Sequence, residues 1–224
     1  MNLHSQIDND LKQIKNRVIE MMDLTIDQYL DMQKSLQNQD KEVAQKVIDN
    51  DKLINRMERN FIEICTWKII KQQLKALDLK IVINRIIIIK DIERIADFAK
   101  NICRYFLQWQ PNKEPLEILN VIVEKVIVML SKCREVLESE DIKKIKNLFK
   151  YDDVIDDLFH NLNNEIIQKI KISKDTEEIK MWTKTMSQLK YIERTGDNVI
   201  NILEILVSTN SDEIFEFEKS MKPK

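Results

Sequence analysis

A single glycine, Gly196, sits among the 224 residues, and it limits the fold more than any other feature of the chain. Ordinary globular usage would place roughly 16 glycines and 11 prolines in this length. The chain has 1 and 3. Hairpins, sandwiches and barrels need many turns with φ > 0, and glycine supplies them. A Walker A loop or a G-x-G-x-x-G phosphate loop cannot be written with one glycine. A chain with 33% charged and 43% apolar residues and so few turn formers is expected to be all-α, built from long amphipathic helices.

Charge and hydropathy narrow the function classes. Basic and acidic residues number 36 and 38, a net charge of −2, whereas a nucleic-acid binder carries a basic excess, so no nucleic-acid partner is expected. No run of 18 apolar residues occurs; the longest aliphatic stretch is Ile86 to Ile89, between Arg85 and Lys90. The start, Met1-Asn2-Leu3-His4, has no hydrophobic leader. Cys65, Cys103 and Cys133 are odd in number and widely spaced, which fits buried thiols in a reducing compartment and neither a disulfide framework nor a zinc site. These features point to a cytoplasmic protein, peripheral to a membrane at most.

Periodicity gives six helices, over about 5–37, 41–71, 78–110, 116–138, 141–171 and 177–207. Ile7, Leu11, Ile14, Val18 and Met21 step by fours and threes along the first. Ile88, Ile92, Ile95, Ala99, Ile102 and Phe106 form the core stripe of the third, which argues that the isoleucine run is helix and not strand. Pro111 and Pro115 bracket the clearest boundary, at the midpoint. The tail after Ser208 is polar and expected to fray. Trp67, Trp109 and Trp182 are expected in the core or at bundle ends.

The second half repeats the first. Glu93-Arg94-Ile95-Ala96-Asp97 recurs as Glu193-Arg194-Thr195-Gly196-Asp197, and Asn101-Ile102 recurs as Asn201-Ile202. Asp51-Lys52-Leu53-Ile54-Asn55 recurs as Asp152-Asp153-Val154-Ile155-Asp156. The expected organisation is therefore two tandem three-helix bundles, residues 1–112 and 113–224, related by internal duplication.

The repeated acids carry the chemistry. Residues four apart share a helix face, so Glu93 and Asp97, Asp152 and Asp156, and Glu193 and Asp197 are neighbours. With 38 acids in 224 residues, roughly six such pairs arise by chance, so one pair means little. Register adds more. If the second and third helices form an antiparallel hairpin turning near Leu74, Asp51 is level with Asp97 and Asn55 with Glu93. A turn near residue 174 sets Asp152 level with Asp197 and Asp156 with Glu193. Each half thus gathers four oxygen side chains at a half-exposed bundle surface. Oxygen donors favour hard or borderline cations such as Mg, Mn or Fe. The second set has four carboxylates against three and is expected to bind more tightly. His160, one turn past Asp156, is an additional candidate ligand, although an ordinary surface histidine accounts for it as well. Glu58 could assist the first set, but its counterpart is Phe159. Two alternatives stand beside the cation reading: a metal-dependent helical-bundle enzyme, and a plain helical scaffold without metal. The enzyme reading lacks a repeated Glu-x-x-His, since Asp157-x-x-His160 is the one similar spacing. No nucleophile with a base is flagged.

The segments 49–58, 91–103 and 191–202 resemble the PhoU family of bacterial phosphate-signalling regulators, and the similarity runs over about residues 5–207. The twice-repeated Glu-Arg-Ile-Gly-Asp type motif is what carries it. The resemblance implies two three-helix bundles side by side, with metal clusters on Asp51, Asn55, Glu93 and Asp97 and on Asp152, Asp156, Glu193 and Asp197. It implies a non-enzymatic role at the cytoplasmic face, restraining the Pst phosphate ABC transporter and switching off the starvation response through a PhoR-type histidine kinase. A second copy of the chain is a further candidate partner. Three positions depart from the family pattern: Ala96 stands for a glycine, Thr195 for an isoleucine and Asn55 for an aspartate.

Overall fold

The computed structural model describes residues 3–209 and contains six α-helices with no strand among them: α1 Leu3–Asn38, α2 Lys41–Gln72, α3 Ala76–Trp109, α4 Lys113–Ser139, α5 Ile142–Ile172 and α6 Thr176–Thr209. The polar tail lies outside the described residues. At 36 residues, α1 is about 54 Å long. The sequence reading starts α4 at Leu116, but the helix begins at Lys113 and carries Pro115 in its first turn. The first-turn amides have no intrahelical acceptor, so proline loses nothing there.

Aspartates start three of the helices. Asp40 accepts from the amides of Glu42 and Val43 at 3.0 and 3.1 Å. Asp141 accepts from Lys143 N at 2.7 Å, and Asp175 from Glu177 N at 3.0 Å. Helix ends show the cost of having no glycine. Gln39, Gln73, Gln110 and Glu140 all take positive φ, between 43° and 53°, just past the ends of α1 to α4. This left-handed conformation closes the last turn, as where Gln110 N–H donates to Phe106 O and Glu140 N–H to Val136 O.

α1, α3, α4 and α6 form the centre of the molecule. α2 packs only on α1 and α3, and α5 only on α4 and α6, so these two flank the bundle on opposite sides. The halves join where α1 meets α4 and α3 meets α6. The predicted α3 stripe is buried throughout, and Ile87 alone of the isoleucine run is exposed, at 43%. Polar bonds tie the halves together inside this apolar seam. The Tyr29 hydroxyl donates to Ile95 O at 3.1 Å and lies 2.6 Å from Thr195 Oγ1; Tyr105 and Thr185 hydroxyls are 2.7 Å apart. The unusual Thr195 of the second motif therefore serves the junction between halves. Buried Arg85 pairs with Glu140, which also takes Lys15 at 3.0 Å. All three cysteines are buried and free. Trp182 is buried and Trp109 partly so, but Trp67 is 56% exposed, with the Lys71 ammonium 4.3 Å from its ring centroid.

A non-glycine residue in the left-handed region costs about 1–2 kcal/mol. Part of that returns as chain entropy when glycine is substituted. Gln73→Gly is therefore expected to stabilise the fold by about 1 kcal/mol, raising Tm by about 2–4 °C. Glu140→Gly should gain nothing, because it strands Arg85. Thermal denaturation of both variants checks this, and a lower Tm for Gln73→Gly would mean the turn carries no strain.

Candidate metal centres

The acids predicted to meet do lie in two neighbourhoods, one on the α2/α3 hairpin and one on the α5/α6 hairpin. The connections are short, residues 73–75 and 173–175, so each hairpin has the register the sequence implies. The two neighbourhoods differ in how their charge is balanced.

On α2/α3, Asp51 is buried, while Asn55, Glu93 and Asp97 are half-buried. The Lys100 ammonium, on the same face of α3 as Asp97, donates to Asp97 and to Asp51 Oδ2, the latter at 2.9 Å. Asn55 also donates to Asp51 Oδ2, at 2.8 Å, so its amide presents hydrogen and not oxygen toward the carboxylate. Asn101 donates to Asp97 Oδ2 at 2.8 Å. Burial works against the Lys100 charge, but Asp97 and Asp51 outweigh it and hold the ammonium pKa above its usual value. Burial raises the Glu93 carboxyl, helped by Glu58, Asp97 and Asp51, while Lys100 opposes them. Glu58 is thus part of this neighbourhood, as its spacing allowed.

On α5/α6, Asp152 and Glu193 are half-buried, and Asp156 and Asp197 are exposed. Ile200 occupies the position that matches Lys100, and its side chain packs against the core. Among the described residues, Asp152, Asp156 and Asp197 accept no side-chain hydrogen bond. Glu193 Oε1 accepts from Lys190, a surface lysine, and Glu193 Oε2 is buried with no partner. Burial, followed by the charges of Asp156, Asp197, Asp153 and Glu193, pushes Asp152 up to about 6. Burial and Glu193 raise both Asp156 and Asp197; His160 opposes the shift at Asp156, and Lys190 and Arg194 oppose it at Asp197. His160 therefore stands close to the cluster, at its exposed edge.

Gly196 explains how Asp152 reaches in so far. A Cβ at this position would stand 2.8 Å from Asp152 Oδ1. The backbone here is ordinary helix, so glycine is needed for space and not for conformation. In the first half Ala96 takes the same place, fully buried. No three carboxylate, imidazole or thiolate groups among the described residues are already drawn around one point. Carboxylates without a counter-ion repel one another. The second neighbourhood has what a cation needs: a net charge of several carboxylates, an orphaned buried oxygen, and a cradle that a methyl group would fill. The first already holds one internal counter-ion, Lys100, between Asp51 and Asp97. Sequence reasoning missed Lys100; its spacing of three from Asp97 and its replacement by Ile200 in the repeat were the available signals.

The comparisons with known proteins follow the duplication. The family model described as "PhoU domain" matches residues 18–106 and again residues 119–206. A phosphate-specific transport system accessory protein PhoU homolog from Burkholderia sp is 30% identical over 210 residues, covering 92% of this chain and 88% of that protein. The corresponding PhoU protein of Escherichia coli K12 is 28% identical, with 91% and 85% covered. Two crystal structures share the fold: the phosphate transport system regulatory protein PhoU from Streptococcus pneumoniae, with TM-score 0.82, 23% identity and coverage of 92% and 98%, and PhoU from Pseudomonas aeruginosa, with 0.81, 24%, 92% and 99%. With two matches of one domain model spanning most of its length, the chain belongs to the PhoU family.

Proposed function

We propose that this protein is a non-enzymatic regulator of phosphate uptake and phosphate-starvation signalling. It acts from the cytoplasm on a Pst-type phosphate transporter and a PhoR-type histidine kinase, with a divalent or trivalent cation (Mg, Mn or Fe) held by the repeated acids. The observation that carries the regulatory part is the likeness, over about nine-tenths of the chain, to proteins named for phosphate-specific transport. The absence of any membrane-spanning helix among the described residues accords with an accessory that must borrow its membrane location from a partner. The observation that carries the cation part is the cluster of Asp152, Asp156, Glu193 and Asp197, in which the one ion pair among the described residues is that of Glu193 with the surface residue Lys190. A cation there removes the mutual repulsion and satisfies Glu193 Oε2, and it stabilises the folded state by mass action.

The test joins genetics to metal analysis. Deleting the gene should leave phosphate-starvation genes expressed in phosphate-rich medium, and the wild-type gene should restore repression. The Glu193→Gln, Asp197→Asn double variant should lose metal by mass spectrometry yet keep its metal-free Tm within a few degrees, because it removes a like-charge pair. Full metal content in that variant would sink the cation assignment; unchanged starvation-gene expression in the deletion would sink the regulatory one.

Gly196→Ala separates packing from binding. Alanine favours helix by about 1 kcal/mol. The clashing atom is the end of a movable carboxylate, so metal-free stability should hold or rise. Manganese affinity should fall at least tenfold as Asp152 is pushed aside. Calorimetric titration with Mn²⁺ reads this directly.

The Asp152 carboxyl also gives a pH signature. Its folded pKa, about 6, lies above the ordinary 3.8. The stability it contributes is thus complete below about pH 4 and lost as pH rises through 6. In metal-free protein, Asp152→Asn should be the more stable form by about 1 kcal/mol at pH 7.5, a figure reduced for the group's partial exposure. That advantage should vanish by about pH 4. An advantage independent of pH would show that Asp152 is not strained by its neighbours.

A further inference from the structure

We infer that Lys100 is the resident cation of the first acidic cluster, so that only the second copy of the duplicated site is open to a metal ion. This rests on the reading that the repeated acids hold metal, and it refines that reading: the two copies differ in kind and not merely in affinity. Four observations carry it. The Lys100 side chain is buried, at 11% exposure, and its ammonium bridges Asp51 and Asp97 from two different helices. These are the two carboxylates that the hairpin register places level with each other, so the ammonium lies where an ion bridging α2 and α3 would lie. Two amides add to the ammonium on the same carboxylates, since Asn55 donates to Asp51 Oδ2 and Asn101 to Asp97 Oδ2. Finally, Ile200 at the matching position in α6 has no charge to offer, and the second cluster is left with an unpartnered buried oxygen.

A divalent ion entering the first cluster would have to displace an ammonium tethered to α3 by its own side chain. The tether keeps the ammonium at high effective concentration, and expelling it would press two cations together in a half-buried site. Replacing Lys100 with isoleucine makes the first copy like the second and should create a metal site in place of the ion pair.

The experiment compares Mn²⁺ content and Tm, with and without Mn²⁺, in four full-length proteins: wild type, Glu193→Gln with Asp197→Asn, Lys100→Ile in that background, and the same with Asp51→Asn and Asp97→Asn added. Lys100→Met serves if the isoleucine variant fails to fold. The expected result is metal in wild type, loss to under a tenth in the second protein, recovery in the third and loss again in the fourth. The third protein should also melt lower than the second without metal and regain Tm with it. Metal retained in the second protein and removed by Asp51→Asn with Asp97→Asn would overturn the inference, because the first site would then fill despite Lys100. Metal absent from wild type but present in Lys100→Ile would uphold the inference and overturn the reading of the second cluster. Metal absent from every variant, with a lowered Tm that Mn²⁺ does not restore, would reduce Lys100 to an ordinary ion pair and overturn both.

Discussion

The connections at residues 73–75 and 173–175 hold α2 against α3 and α5 against α6 in one axial register. A helix pair joined by so few residues cannot slide by a turn without breaking its caps, so whatever is level across the pair stays level. That constraint brings Asp51 to Asp97 and Asp152 to Asp197, although about 45 residues separate each pair in the chain. It also fixes the outer surface, because α2 and α5 each pack on two helices only and leave the rim of the hairpin wet. The acidic groups sit along that rim at depths that run from buried Asp51 to exposed Asp156 and Asp197.

Most of the architecture follows from patterns that the sequence displays locally. Stripes such as Ile88, Ile92 and Ile95 state which face is buried, and Asp40, Asp141 and Asp175 mark where helices begin. The duplication then sets the two halves in correspondence. Less legible was the start of α4, since a proline three residues into a helix looks the same on the page as a proline before one. Trp67 lies near the end of α2, and its exposed ring meets the Lys71 ammonium in place of the core.

At the acidic clusters, periodicity and register found the carboxylates but not their counter-ion. In a chain with 33% charged residues a lysine has no distinguishing mark, and most lysines snorkel to solvent. What turns Lys100 inward is the buried Asp51 opposite it, a contact between helices that no local pattern encodes. The comparison of Lys100 with Ile200 was present in the repeat, yet it acquires meaning only once Asp51 is known to be deeper than its counterpart Asp152. Thr195 is a similar case. Its departure from an aliphatic residue makes sense only beside Tyr29, which reaches it from the other half.

Depth explains why two copies of one site could be balanced differently. Asp51 is only 4% exposed, so its charge cannot be left to water, and an ion that exchanges with solvent would strand it each time it departed. The Lys100 ammonium, 2.9 Å from Asp51 Oδ2, is held near it by its own side chain. Asp156 and Asp197 are exposed, and Asp152 is half-buried, so water screens the repulsion among them. Burial first, and the neighbouring carboxylates after it, raise the Asp152 carboxyl to about 6. The duplicated scaffold thus pairs one cluster whose ammonium bridges two helices with one whose ion pair lies within a single helix. The seam of Tyr29, Thr195, Tyr105 and Thr185 joins the two, and Thr195 lies on the same helix between Glu193 and Asp197.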